Sequence, residues 1–248
     1  LGLLGGGGSI LTVPILVYVL MIDPVLATAY SLFVVGATSV VGAVRKSMQG
    51  LVNWKTGLTF AVPSLIAVFL TRYWLVPALP ETLFRWGDFV FAKNMGIMVF
   101  FALVMLAASY SMIRGRKESS GGEEKPFNLP VILLEGLIVG VITGLVGAGG
   151  GFLIVPALAI LVGLPIKEAV GTSLIIIAIK SLIGFLGDLG SGQEIDWVFL
   201  SIFTAFSVVG MFIGIYATQF VSPHRLKKGF GWFVLVMGIF IIIKETIL

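Results

Sequence analysis

The chain has no cysteine and a single histidine, His224. The first absence excludes disulfides, thiolate nucleophiles and iron–sulfur ligation, and the second argues against a built-in metal centre. Charge is also scarce. Charged residues make up 11% of the chain and hydrophobic ones 58%, whereas a soluble domain carries about 25% charge. With a mean hydropathy of +1.11, such a chain cannot coat itself against water. An integral membrane protein is expected, with the lipid bilayer as its surroundings. The net charge of +4 is not a nucleic-acid signature, because the bases fall in loops beside apolar runs. No cofactor is expected.

A transmembrane helix needs about 20 apolar residues. Long apolar runs cover residues 25–44, 56–77, 91–113, 129–147, 166–187, 196–221 and 228–247. Two shorter ones, 9–22 and 152–164, each follow a glycine cluster. The strongly polar stretch "RGRKESSGGEEKPFN" (114–128) reads as a solvated linker between two halves. The fold class expected is an all-α polytopic membrane protein: a first transmembrane repeat over 1–113, a cytoplasmic linker over 114–128 and a second repeat over 129–248.

The halves repeat. "GLLGGGGSILTVPIL" (2–16) matches "GLVGAGGGFLIVPAL" (144–158), with Pro14 over Pro156. At the same offset "ATAYSLFVVGATSVVG" (27–42) matches "AVGTSLIIIAIKSLIG" (169–184), so that Ser31 falls on Ser173, Ser39 on Ser181 and Gly42 on Gly184. Residue 1 then aligns with Thr143, inside a helix. The start of the first helix is therefore expected to precede this sequence in the natural protein. Stretch 129–164 would be roughly 50 Å long as one helix and must fold back, as a short crossing or as a re-entrant hairpin broken at the glycines. Either choice inverts the second half relative to the first. Loop charge agrees: Arg45, Lys46 and Lys55 flank one loop, while Asp188, Glu194 and Asp196 mark its counterpart. The positive-inside rule makes the first cytoplasmic and the second external. The linker and the 224–228 loop (Arg225, Lys227, Lys228) then fall inside.

Inverted repeats with interrupted helices are a signature of secondary transporters, whose sites lie at the interruptions. The candidate ligand positions are Gly6, Gly7, Gly8 and Ser9 in the first copy and Gly149, Gly150 and Gly151 in the second. Helices restarting near Ser9 and Gly151 would present unpaired N–H groups to an anion. Glycines also let helices pack closely or turn, and that alternative stands beside ligand contact. The hydroxyls Ser31, Thr38, Ser39, Thr172, Ser173 and Ser181 are further candidates, although such groups often bond back to the preceding turn. Positions 173, 177, 180 and 184 share one helical face. Lys180 lies mid-span, where charge is costly. It calls for a bound anion, a structural partner such as Glu135, or a wet or neutral state. Glu135, close to Pro130, reads as interfacial. Trp54, Trp74, Trp86 and Trp197 read as interfacial anchors.

The doubled glycine motif with the downstream "AVGTSL", and the degenerate first copy with Tyr30 and Ser31 in place of Thr172 and Ser173, resembles the TauE/SafE family of sulfite exporters. The resemblance covers nearly the whole chain. It implies a multi-pass protein of a bacterial or archaeal cytoplasmic membrane that exports sulfite, sulfoacetate or related organosulfur anions. It carries the ligand positions onto Gly5 to Gly8, Gly147 to Gly151, Thr172 and Ser173. The expected function is a secondary transporter of a small anionic substrate, with a small-anion channel as the alternative. Serine–lysine catalysis is not expected, since adjacent helical residues do not face each other. The sequence leaves the oligomeric state open, a homodimer included.

Overall fold

A computed structural model describes residues 9–86, 89–114, 129–160, 162–217, 220 and 223–247. Gly6, Gly7, Gly8 and all of the expected linker but Arg114 lie outside the described residues. The elements are α1 (Ser9–Val19), α2 (Pro24–Met48), α3 (Trp54–Ala78), β1 (Thr82–Trp86), β2 (Phe89–Ala92), α4 (Lys93–Arg114), α5 (Leu129–Val146), α6 (Gly151–Ile160), α7 (Ile166–Gly190), α8 (Trp197–Ala217) and α9 (Pro223–Ile247). Seven of the described helices are long and apolar enough to cross a membrane. The chain is a multi-pass integral membrane protein.

Local signals set the helix boundaries. Asp23 caps α2, its carboxylate accepting the N–H groups of Val25 (2.9 Å) and Leu26 (3.3 Å), and Pro24 occupies the first turn, where its missing N–H costs nothing. Asn53 caps α3 through the Thr56 N–H at 3.0 Å. Near its end α3 widens into a π-helical turn over Thr71–Leu75. Pro77 follows two residues after this turn, and a proline cannot donate to the regular ladder one turn back.

The helices run further than the apolar runs alone suggest. Arg45 and Lys46 belong to the last turns of α2 and Lys55 to the first turn of α3. His224, Arg225, Lys227 and Lys228, expected in a loop, lie in the first turns of α9. Asp188 is likewise no loop residue. It belongs to α7 and is 1% exposed, because a buried arginine holds it inside. The antiparallel β1–β2 hairpin was not anticipated; Phe84 stacks on Phe91 across it.

The centre of the molecule is the antiparallel pair α2 and α7. A Cβ on Gly36 would meet Leu182, and one on Gly171 would meet Lys46. Both helices are 25 residues long, and their ends are related by the spacing that puts Ser31 over Ser173. Their surroundings correspond too: Gly42 lies against Met211 and Leu174, and Gly184 against Val68 and Leu32. Helix α5 runs parallel to α3, with Gly136 at Pro63, Gly140 at Ala67 and Gly144 at Thr71. Helix α9 packs on α4. The α1 segment is tied to α9 by the Tyr18 hydroxyl, which donates to Glu245 Oε1 at 2.7 Å, and by Lys244 over the Tyr18 ring. Phe206, Val209 and Ile213 of α8 are largely exposed, a surface that only lipid or another apolar partner suits.

The α3–α5 contact is close enough that a side chain at Gly140 would overlap the Ser64 carbonyl and the Ala67 Cβ. Gly140→Leu is expected to cost about 1–3 kcal/mol through overpacking, read as a lowered thermal midpoint of the purified protein. Gly210→Ala, facing open space on α8, serves as the control and should leave the midpoint unchanged or raise it.

Candidate functional site

The site is built around the interruption between α5 and α6. Helix α5 closes with the Gly147 N–H donating to the Thr143 carbonyl at 2.8 Å. The chain then turns through Gly147, Gly149 and Gly150, all at positive φ (69°, 63° and 73°), where a β-carbon is strained. Space forbids one as well. At Gly147 it would strike Thr28 of α2, and at Gly150 it would strike Thr143 and come within 2.9 Å of Lys180 Nζ. The turn is thus gripped by the central helices. Leu153 and Ile154 both donate to the Gly150 carbonyl at 2.9 Å, so the Gly151 and Phe152 N–H groups precede the α6 ladder. They give the start of α6 its partial positive charge.

Lys180 projects from the middle of α7 toward this turn. It is fully buried, and its Nζ donates to Thr143 Oγ1 at 2.9 Å. Thr143 passes its own proton to the Val139 carbonyl at 2.7 Å. An ammonium has three donors. Among the described residues no carboxylate lies within ion-pair distance of Lys180, and two of its donors have no protein partner. Glu135 is not its partner: it sits eight residues before Thr143, about 12 Å down α5, and its buried Oε2 has no hydrogen-bond partner.

The other candidates divide. Gly150 meets Lys180, as does Thr143, which sequence reasoning missed; Gly149 packs on Val35 and Ile177, and Gly151 opens α6. Ser39 and Ser181 flank the α2–α7 crossing, fully buried and with Oγ unpartnered, and Ser31 is in the same condition nearer one end of α2. Thr38 donates back to the Val34 carbonyl at 2.7 Å and Ser173 to the Val170 carbonyl at 2.8 Å. Thr172 accepts the Asn53 N–H at 2.9 Å and ties α7 to the start of α3. Thr172 and Ser173 lie about 10–12 Å along α7 from Lys180 and do not join it. Gly184 packs on Val68 and Leu32 instead. Ser9 is buried at the start of α1.

Arg72, on α3, also escaped the sequence. It is fully buried, with Nε donating to both Asp188 oxygens (2.8 and 2.9 Å) and Nη2 to Oδ1. Nη1 donates to Thr28 Oγ1 (2.9 Å) and the Gly144 carbonyl (3.3 Å), and Nη2 to the Val25 carbonyl (3.3 Å). All five guanidinium donors are used, and four helices meet at one side chain.

The family model of the sulfite exporter TauE/SafE matches residues 1–241. This chain belongs to the TauE/SafE family. A probable membrane transporter protein of Xylella fastidiosa strain 9a5c is 30% identical over 98% of this chain and 89% of its own length. A probable membrane transporter protein of Haemophilus influenzae is 24% identical over 98% of this chain and 93% of its own. No solved structure matches. TauE/SafE is a membrane transporter family rather than an enzyme family, and the chain is a membrane transporter of the sulfite exporter type.

Within this TauE/SafE chain the two buried cations differ in kind. Breaking a buried pair costs about 3–5 kcal/mol, whereas an apolar side chain in place of a lone, poorly compensated charge removes that charge's desolvation cost. Arg72→Ala should therefore lower the unfolding midpoint sharply. Lys180→Met should leave it unchanged or raise it, measured by thermal unfolding in detergent. A Lys180→Met protein that unfolds as readily as Arg72→Ala would show that the fold depends on Lys180 as it does on the Arg72 pair.

Proposed function

We propose that this protein is a secondary transporter that exports a small sulfur oxyanion, such as sulfite, sulfoacetate or a related organosulfonate, across the cytoplasmic membrane by alternating access. The observation that carries the proposal is the Lys180 Nζ, buried in mid-span beside a helix interruption with no carboxylate within ion-pair distance among the described residues. A compact oxyanion would supply the missing charge. It would accept from the remaining Nζ donors and from the first N–H groups of α6, the interactions that replace its water shell.

The alternation rests on two inverted halves, residues 1–113 and 129–248. The antiparallel α2–α7 pair and the corresponding contacts of Gly42 and Gly184 support that division. Helix α6, about 15 Å long at ten residues, is too short to span, and the clustering of its Leu158 with Ile132 near the start of α5 supports a hairpin that re-enters on the side where α5 begins. By the positive-inside rule, the basic residues at the ends of α2, α3 and α9 support reading that side as cytoplasmic. With no nucleotide motif in the sequence, a gradient would drive transport. An inside-negative potential favours anion exit by about 2.3 kcal/mol per charge per 100 mV. The closed packing round Lys180 favours a transporter over an open anion channel.

Uptake into proteoliposomes of sulfite, sulfoacetate, sulfate and chloride tests this. Saturable flux of sulfite or sulfoacetate is expected for the wild type, lost at least tenfold in Lys180→Ala. Equal flux in the two proteins would remove the lysine from the site, and the absence of selective flux would defeat the proposal.

A further inference from the structure

We infer that Arg72 is a second anion station on the same path, and that Asp188 is the internal anion the substrate displaces there; this rests on the transport function proposed above. Both buried cations grip one short segment. Lys180 holds its inner flank through Thr143, against Gly150, and Arg72 holds its outer flank through the Gly144 carbonyl and through Thr28, which packs on Gly147. Lys180 and Asp188 lie eight residues apart on α7, about 12 Å. Asp188 is close to the external end of that helix. An oxyanion leaving Lys180 outward meets Arg72 next.

The chemistry at Arg72 suits the exchange. Its Nε and Nη2 hold one carboxylate through two oxygens, at 2.8 and 2.9 Å from Nε, and a guanidinium fork matches any planar or tetrahedral oxyanion in the same manner. Sulfite and sulfonate present such paired oxygens. Arg72 also stands on the π-helical turn Thr71–Leu75, a form concentrated at functional sites, and its Cβ lies over Gly187, where a β-carbon would crowd it at 3.0 Å. The arrangement is one-sided. The residue corresponding to Asp188 in the first half is Lys46, which is partly exposed and reaches only Gln49 at 3.4 Å. On the inferred path the Asp188 carboxylate occupies the Arg72 fork and closes the external exit whenever no substrate is passing.

The test measures sulfite uptake into proteoliposomes by Asp188→Asn and Arg72→Lys beside the wild type. Asp188→Asn frees the fork and removes the competitor, so KM for sulfite is expected to fall at least tenfold while the maximal rate also falls at least tenfold. Arg72→Lys keeps the charge without the fork, and its KM is expected to rise at least tenfold. An unchanged KM in either folded variant, or a raised one in Asp188→Asn, would overturn the inference. Should neither variant fold, the wild type carries the test through phenylglyoxal labelling mapped by peptide mass spectrometry. Arg72 is expected to be modified in transporting vesicles, with sulfoacetate protecting it and chloride not. An Arg72 that stays unmodified while transport proceeds would overturn the inference. Loss of uptake in Lys180→Ala together with a wild-type KM in Asp188→Asn would fell the station alone, and uptake of neither sulfite nor sulfoacetate by the wild type would fell the transport proposal with it.

Discussion

A bilayer core offers no hydrogen bond to an unpaired amide, so helix ends at that depth must be covered by protein or by a watered cavity. The interruption at 147–150 obeys this constraint, and the rest of the molecule is arranged around it. Helices α2 and α7 clasp the turn closely enough that Thr28, Val35 and Ile177 would each collide with a β-carbon placed there. Arg72 then ties the clasp to α3 and α5 by donating to Thr28, to two backbone carbonyls and to Asp188. The glycines are needed both for their positive φ and for this proximity.

Within that enclosure, the difference between Arg72 and Lys180 is one of compensation. Arg72 has its charge matched and every donor spent. Lys180 has one neutral hydroxyl and spare donors in a place where an uncompensated charge is expensive. A protein that only needed to fill the space would be more stable with an apolar residue there. The energetic imbalance at Lys180, beside the positive end of α6, is what turns a closed helix break into a proposed anion site.

Much of this was legible in the sequence because it is written locally. Apolar runs of the right length marked the seven long helices, and the glycine cluster marked the end of α5 and the start of α6 to within a few residues. Lys180 was visible as an isolated charge. Arg72 was not, since it lay in an apolar run near aromatic residues and close to the run's end. Its pairing with Asp188, 116 positions away, is a property of packing rather than of pattern. Asp188 looked like a loop acid for the same reason. Thr143 was unremarkable in sequence and becomes the lysine's partner only because α5 stops beside α7. The hydroxyls failed in the opposite direction: Thr38 and Ser173 satisfied themselves on their own helices, as short hydroxyl side chains do.

The absence of native cysteine allows the central claim to be tested at a single introduced thiol. The measurement is the rate at which an anionic thiosulfonate reagent modifies Thr143→Cys in vesicles where that variant still transports. Modification is expected, because alternating access must bring water and anions to Lys180, with protection by sulfoacetate but not by chloride. A thiol at position 143 that stays inert during transport, or reacts identically with and without sulfoacetate, would contradict an anion site at the break.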